Sequence, residues 1–303
     1  MPERQRMCFL GVSTGGSAIR SIFPRWCEAL GIDADLVGID LPLNAERDAY
    51  RDFVRGLRAD PSAHGALITT HKVALHEATD DLLDEITPIA ARLGEISCLY
   101  KRGDTLVGDA LDPVSAGLTL SALLPAGHWT RTQAQALVLG AGGAALAIIA
   151  ALQGSANAPA VISVTDVSPE RLAALSGCFR DVRGRLVQDA TATDALLEAL
   201  PPGSLVVNAT GMGKDRRGSP LSDTAKFPED AVVWELNYRG GLDFLHQARR
   251  QQSAQRLVIE DGWTYFLHGW TRHIAKVFDR DIPSAGPGFE ALDRIARQVT
   301  GRP

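Results

Sequence analysis

Gly140-Ala141-Gly142-Gly143-Ala144-Ala145 is the segment whose residue types and spacing point most directly to chemistry. It follows the apolar run Ala136–Leu139 and opens a second apolar run that continues to Leu152. A glycine at 140 permits a tight strand-to-helix turn, and a glycine at 142 lets the backbone come close to a pyrophosphate. A small residue at 145 lets the helix pack against the strand. The start of the helix then offers free N–H groups and the positive end of its dipole to phosphate. Asp166 ends the next strand pattern about 20 residues further on, where an acidic side chain accepts from ribose hydroxyls and repels a 2′-phosphate. Together these features predict a dinucleotide site at Gly140, Ala141, Gly142, Gly143, Ala144 and Asp166, with NAD as cofactor rather than NADP. The plainer alternative is a glycine-rich turn, with Asp166 capping a helix that begins at Pro169.

A second loop, Asn208-Ala209-Thr210-Gly211-Met212-Gly213, follows the apolar run Leu205–Asn208. In a doubly wound sheet such a loop lies at the carboxyl ends of the strands, where ligands bind. Asn208, Thr210, Gly211 and Met212 are therefore further cofactor-binding candidates, against the alternative of an ordinary polar turn. Lys72 stands at a strand-to-helix junction after Thr69, Thr70 and His71. A lysine there opposes the helix dipole, which invites a functional reason, although a solvated surface lysine is the commoner case. Gly108-Asp109-Ala110-Leu111-Asp112 leads into another helical pattern. Either aspartate can cap that helix; the sharper reading pairs Asp112 with Lys72 at a cleft between two domains.

The elements that must carry these residues alternate. Cys8–Val12, Asp35–Leu41 and Gly65–Thr70 read as strands, with helices over Ser17–Leu30, over Ala45–Leu57 and from Lys72. Asp81–Leu93 has apolar residues at helical spacing and is expected to form one amphipathic helix. Ser97–Tyr100 and Thr105–Gly108 read as antiparallel strands on the edge of a parallel sheet. Ser115–Leu124 reads as a connecting helix. Strand and helix alternate again at Ala136–Leu139, Gly140–Leu152, Ala160–Thr165 and Pro169–Leu175. Further strands are expected at Leu205–Asn208 and Ala231–Leu236, and a mostly helical end at Gly262–Arg297, broken near Ile282–Gly288. The alternation predicts an α/β protein of two α/β domains: an N-terminal substrate domain over 1–115, with the helices of 260–303 packing back on it, and a Rossmann dinucleotide-binding domain over 130–255.

Composition narrows the function classes. The 303 residues are 45% hydrophobic and 22% charged, ordinary for a globular protein. The net charge of −5 leaves no basic footprint for nucleic acid. Cys8, Cys27, Cys98 and Cys178 are scattered, which fits a reducing cytoplasm and neither a disulfide scaffold nor a cysteine zinc site. The charged start of the chain does not read as a signal peptide, and the longest apolar stretch is interrupted by glycines, so no membrane partner is expected. The seven histidines show no H-E-x-x-H spacing, and no catalytic metal is expected. Nor is there a G-x-S-x-G elbow for a serine hydrolase. Trp234, Trp263 and Trp270 are expected to be packing residues.

Taken in order along the chain, these segments resemble the shikimate and quinate dehydrogenase family. The resemblance rests on Gly65–Lys72, Gly94-Glu95-Ile96-Ser97-Cys98-Leu99, Gly108–Asp112, Gly140–Ala145, Asn208–Gly213, Glu235–Tyr238 and Asp261-Gly262. It implies a cytoplasmic NAD(P)-dependent oxidoreductase, of the kind found in aromatic amino-acid biosynthesis. The reaction is reversible hydride transfer at a secondary alcohol of a small cyclic hydroxy acid, and a homodimer is a possible assembly. Lys72 and Asp112 take the catalytic roles. Ser13, Ser17, Thr69, Ser97, Tyr238, Tyr265 and His268 are the substrate-binding candidates, and either Gly269 or His268 stands where the family has a late glutamine.

The departures from the family pattern concern substrate contacts. Its N-terminal serine pair falls in Ser13–Ser17 with altered spacing. Three of its asparagines fall on Leu67, Ser97 and Ala110, and the proline before the lysine is missing. A pocket without those donors and acceptors is expected to bind shikimate poorly, because unmatched polar groups are costly to bury. Two other readings use the same architecture. One is a catalytically silent, nucleotide-binding regulatory protein; the other is an enzyme such as a methylene-tetrahydrofolate dehydrogenase.

Overall fold

A computed structural model describes residues 4–214 and 216–302. The chain divides into two compact units, Met1–Leu111 with Gly269–Pro303, and Asp112–His268.

The first unit begins β1 (Gln5–Gly11), α1 (Ile19–Leu30), β2 (Ala34–Asp40), α2 (Arg47–Ala59), β3 (Ala63–Ile68) and α3 (Lys72–Thr79). It continues with β4 (Glu85–Ile86), α4 (Pro88–Leu93), β5 (Cys98–Arg102) and β6 (Thr105–Asp109). The sheet order is β2-β1-β3-β5-β6-β4. β1 runs parallel to β2 and β3, and β5 runs antiparallel to both β3 and β6. Leu10, Ala66, Ile68 and Leu99 of the sheet pack with Val54 and Leu57 of α2 and Leu75 of α3. This burial of apolar area is the main force holding the layers together.

Two expectations are corrected here. Residues 81–93 do not form one helix: a 3₁₀ turn at Asp80–Leu82 is followed by β4 and then α4. Pro88 holds the preceding Thr87 extended (φ −65°, ψ 152°), and the Thr87 hydroxyl caps the new helix by accepting from the Ala90 N–H. The Asp84 carboxylate also accepts from the Leu106 N–H at 2.7 Å and from Arg58 at 2.9 Å, which draws this stretch along β6. Consequently the antiparallel pair β5–β6 is not the sheet edge; β4 lies outside it, parallel to β6.

The second unit contains α5 (Asp112–Leu123), α6 (His128–Thr132), β7 (Ala136–Leu139), α7 (Gly143–Gly154), β8 (Ile162–Asp166) and α8 (Pro169–Cys178). It continues with β9 (Val182–Leu186), α9 (Ala190–Glu198), β10 (Leu205–Asn208), β11 (Val232–Glu235), α10 (Asp243–Gln255) and β12 (Val258–Glu260). All six strands are parallel, in the order β12-β11-β10-β7-β8-β9. The order reverses between β7 and β10. Crossovers on either side of that point diverge and leave a crevice at the carboxyl ends of the strands. The helix α11 (Trp263–Val277) starts in this unit, and α12 (Gly286–Thr300) belongs to the first. There the Trp26 indole N–H of α1 donates to the Leu292 carbonyl at 2.8 Å. Among the described residues no helix is long and apolar enough to cross a membrane.

The start of α11 depends on one close backbone approach. A Cβ at Gly262 would lie 2.0 Å from the Leu236 carbonyl oxygen. The Gly262 N–H donates to the Asn237 carbonyl at 3.1 Å, and the Asp261 carboxylate accepts from the Trp263 N–H at 2.9 Å. Gly262→Ala is expected to lower stability by about 1–3 kcal/mol through forced backbone movement. Gly177→Ala is the control. It lies inside α8, where an added Cβ meets nothing within 4 Å, and should raise stability by about 0.5–1 kcal/mol. Urea denaturation reads both, and equal stability of the Gly262→Ala variant and the parent would contradict the assignment.

Candidate functional site

In the second unit the candidate residues converge on the point where the strand order reverses. Gly140 leaves β7 with φ +97°, and a Cβ there would lie 3.0 Å from the Ala209 carbonyl group and 3.1 Å from the Thr210 Cα. The turn after β7 and the loop after β10 are therefore in backbone contact, which only glycine allows. Gly142 occupies the extended cap position of α7, and Gly143, Ala144 and Ala145 form the first turn. The first helical bond runs from the Leu146 N–H to the Gly142 carbonyl. The earlier N–H groups have no partner within the helix, and Gly142, Gly143 and Ala144 are partly accessible. Ala141 and Ala145 are buried. Such a helix start suits a pyrophosphate, so the residues present fit a dinucleotide.

Asp166 is buried at the end of β8. One carboxylate oxygen accepts from the Ala141 N–H at 2.8 Å and the other from the Ser168 N–H at 2.9 Å, with the Arg171 guanidinium 3.8 Å away. The aspartate thus links the glycine-rich turn to the end of β8. It does not cap α8; that role falls to the Ser168 hydroxyl, which accepts from the Arg171 N–H. Val167, directly after it, is 69% exposed.

The loop after β10 is held by a polar network. Asn208 is fully buried, and its amide NH₂ donates to Glu235 at 2.7 Å. Its amide oxygen accepts from both the N–H and the hydroxyl of Thr210, whose hydroxyl in turn accepts from the Met212 N–H. Burial pushes the Glu235 carboxyl up to about 7, against the hydrogen bonds from Asn237 and Asn208 that favour its charged form. Gly211 takes a left-handed φ of +73° within the same loop. Tyr238 packs against Phe266 with ring centres 4.7 Å apart, and Tyr265 meets the edge of Trp234 at 5.6 Å. His268 is buried. A separate groove of about 740 Å³ between α5 and α7 is lined by apolar residues such as Leu118, Trp129 and Ala151, with nothing ionisable among its lining.

In the first unit, Lys72 is the first residue of α3 and is half-buried. The residue before it is fixed firmly: buried His71 meets the Tyr50 hydroxyl through Nδ1 at 2.9 Å and the Leu41 carbonyl through Nε2 at 3.1 Å. Nε2 must donate to a carbonyl, so Nδ1 accepts from Tyr50. The Lys72 carbonyl accepts from the Ile96 N–H at 3.1 Å. Thr69 is half-buried at the end of β3, Ser17 is half-buried before α1, and Ser13 is exposed.

Ser97 is fully buried and acts as a junction. Its hydroxyl accepts from the Leu111 N–H at 2.8 Å, and its carbonyl accepts from the Ile68 N–H and from His273 Nε2. Asp109 accepts from the Thr87 hydroxyl at 2.7 Å and lies 3.9 Å from the Lys276 ammonium, so it is committed within its own unit. Asp112 opens α5 in the second unit. Leu67 and Ala110 are buried apolar positions.

The sequence reading did not single out Thr14, His71 or Asn237. Thr14 is buried, and hydrogen bonds from its hydroxyl and its N–H hold the Asp40 carboxyl below the usual carboxylate range. The available signal was an aspartate ending β2 opposite a polar turn after β1.

Fold and site define a two-unit α/β protein whose second unit is a Rossmann dinucleotide fold. No family model matches the chain. It is 31% identical over 267 residues to the shikimate dehydrogenase (NADP(+)) of Paramagnetospirillum magneticum, covering 88% of this chain and 84% of that protein. It is also 31% identical over 272 residues to the enzyme of the same name from Methylobacterium radiotolerans, covering 89% and 84%. The Thermus thermophilus shikimate 5-dehydrogenase, solved in complex with shikimate, superposes with a TM-score of 0.74 at 25% identity, covering 98% of this chain and 99% of that one. The quinate dehydrogenase of Corynebacterium glutamicum, in complex with NAD, shares the fold with a TM-score of 0.73 at 19% identity, covering 96% and 98%. The chain belongs to the shikimate dehydrogenase family, whose members are NAD(P)-dependent oxidoreductases. Nothing in these comparisons supports the catalytically silent alternative.

Proposed function

We propose that the protein is an NAD-preferring dehydrogenase acting on a secondary alcohol of a small cyclic hydroxy acid, in the cytoplasm. The observation that carries this reading is the open start of α7 beside Asp166, where the strand order of the parallel sheet reverses, in a chain of this family. When bound, the dinucleotide supplies or accepts the hydride. The first-turn N–H groups of α7 would hold the pyrophosphate, and Asn208, Thr210, Gly211 and Met212 would contribute the other side of the dinucleotide site. Asp166 keeps lone pairs beyond its two backbone contacts with which to accept from ribose hydroxyls, and its charge disfavours a 2′-phosphate. Exposed Val167 offers that phosphate no donor, and Arg171 already faces the Asp166 carboxylate. NAD preference is therefore read against the NADP named for the curated relatives.

Lys72 takes the hydroxyl proton as the alcohol becomes a ketone and returns it in reverse. Asp112 is assigned to accept from the substrate hydroxyl. The roles fit a residue whose backbone is fixed on both sides, by His71 before it and by Ile96 across from it. Ser13, Ser17 and Thr69 keep accessible hydroxyls for a substrate carboxylate or ring hydroxyl. Tyr238, Tyr265 and His268 belong to the substrate set as residues near the start of α11. Ser97 supports the site, since its hydroxyl serves the Leu111 N–H. With apolar Leu67 and Ala110 in place of two ring-binding side chains, shikimate itself is a poor substrate.

Steady-state kinetics on shikimate, quinate and simpler ring hydroxy acids, each with NAD and NADP, tests this reading. The expected pattern is higher kcat/KM with NAD, and shikimate below about 10⁴ M⁻¹s⁻¹. Equal or better use of NADP overturns the role of Asp166, efficient shikimate turnover overturns the altered pocket, and no turnover of any alcohol overturns the enzyme reading. Lys72→Ala should lower kcat by roughly 10²–10⁴ with NAD affinity unchanged. An unaltered kcat removes Lys72 from the proton step.

A further inference from the structure

Glu235 ends β11 and is completely buried, yet three donors converge on its carboxylate. Asn208 donates to one oxygen at 2.7 Å, while the N–H and side-chain NH₂ of Asn237 donate to the other at 2.8 and 2.7 Å. The two asparagines also share the Met212 carbonyl, at 3.4 Å from Asn208 and 2.9 Å from Asn237. The network continues without a gap in donor direction. The Met212 N–H donates to the Thr210 hydroxyl, the Thr210 hydroxyl and N–H donate to Asn208, and Asn208 donates to Glu235. On the other side, Asn237 accepts from the Gly262 N–H through its carbonyl, at the foot of α11.

We propose that Glu235 is the positioning residue of the cofactor loop: its carboxylate sets the orientation of Asn208 and through it the backbone of Thr210–Met212. The inference rests on the reading of 208–213 as part of a dinucleotide site. The reason is directional. Asn208 has one acceptor oxygen, and Thr210 takes both of its lone pairs. Its NH₂ must therefore face an acceptor, and Glu235 provides a charged one where burial makes each contact strong. A neutral carboxylic acid would direct one O–H at a donor. Either that contact breaks or Asn208 turns over, and turning over releases both Thr210 contacts. A completely satisfied buried network has two discrete arrangements, so the loop is either held or loosened.

The state of the network depends on pH in a defined direction. Burial raises the Glu235 carboxyl to about 7, and among the described residues Asp261, on the approach to α11, is the charge that raises it further. The anion that holds the loop is the major form above pH 7 and is lost as the pH falls through that value. Global stability changes in the opposite sense. A carboxyl raised from 4.5 to about 7 contributes stability that is complete below about 4.5 and is lost as the pH rises through about 7. Cofactor affinity and thermal stability should therefore move in opposite directions between those values.

The test combines NADH titration with amide hydrogen exchange on the intact protein from pH 5.5 to 8.5. NADH is used because it lacks the titrating 2′-phosphate. For the wild type, the NADH Kd should rise about tenfold from pH 8 to pH 6, the effect of one lost charge-assisted hydrogen bond. Exchange at the Thr210 and Met212 amides, corrected for the intrinsic rate, should quicken over the same range. Glu235→Gln offers one oxygen instead of two, so its NH₂ must face the donors of either Asn208 or Asn237, and the network cannot be satisfied on both sides. It should bind NADH about tenfold more weakly at pH 8 and show no pH dependence in either readout. A variant that matches the wild type in Kd, exchange and pH profile overturns the proposal. If Glu235→Gln does not fold, wild-type exchange at Thr210 and Met212 that is flat across pH 7 overturns it instead. If NADH does not bind but exchange still follows Glu235, the positioning role stands and the dinucleotide reading fails.

Discussion

The second unit depends on one steric constraint: the backbone after β7 passes against the backbone after β10 with no room for a side chain. Gly140 sits at that crossing with a φ of +97°. The constraint arises from topology. β7 and β10 are neighbours in the sheet, but the chain leaves them toward opposite halves. Their exits must diverge from a shared starting point, and the crevice they leave is where α7 presents its unpaired N–H groups. Asp166 and Asn208 then fix the two sides of the crevice by the same device, a buried side chain that accepts backbone N–H groups of the loops at the carboxyl ends of the strands. Asp166 takes those of Ala141 and Ser168, and Asn208 that of Thr210.

The first unit solves a different problem, since its polar candidates follow strands that are almost wholly buried. Ser97 joins the end of β3, the turn after β6 and helix α11 with a single hydroxyl and a single carbonyl. The Tyr50–His71 pair does the same for the turn before α3. The residue before Lys72 is thereby anchored at both ring nitrogens. Leu67 and Ala110 are buried apolar positions of the same unit.

Much of this was legible in the sequence because it is local. The glycine spacing at 140–145, the apolar runs of β7 and β10 and the start of α3 at Lys72 each depend on a few consecutive residues. What escaped depends on distant partners or on competition between signals. The helical periodicity of 81–93 lost to Pro88 and to the Asp84 contact with Leu106. Strand β9 (VRGRL) has no apolar alternation to announce it, since its residues are mostly exposed at the sheet edge. The fixing of His71 needs Tyr50 on α2, and the burial of Glu235 against Asn208 needs two parallel strands brought into register. Neither contact leaves a pattern in the residues beside it.

The central claim is that the carboxyl ends of β7 and β10 together hold a dinucleotide. Amide NMR of the isotope-labelled protein during NADH titration tests it directly. The account predicts saturable shifts at Gly142, Gly143 and Ala144 together with Thr210, Gly211 and Met212, all following one binding curve. NADH that leaves both loops unperturbed, or shifts confined to other parts of the chain, would contradict it.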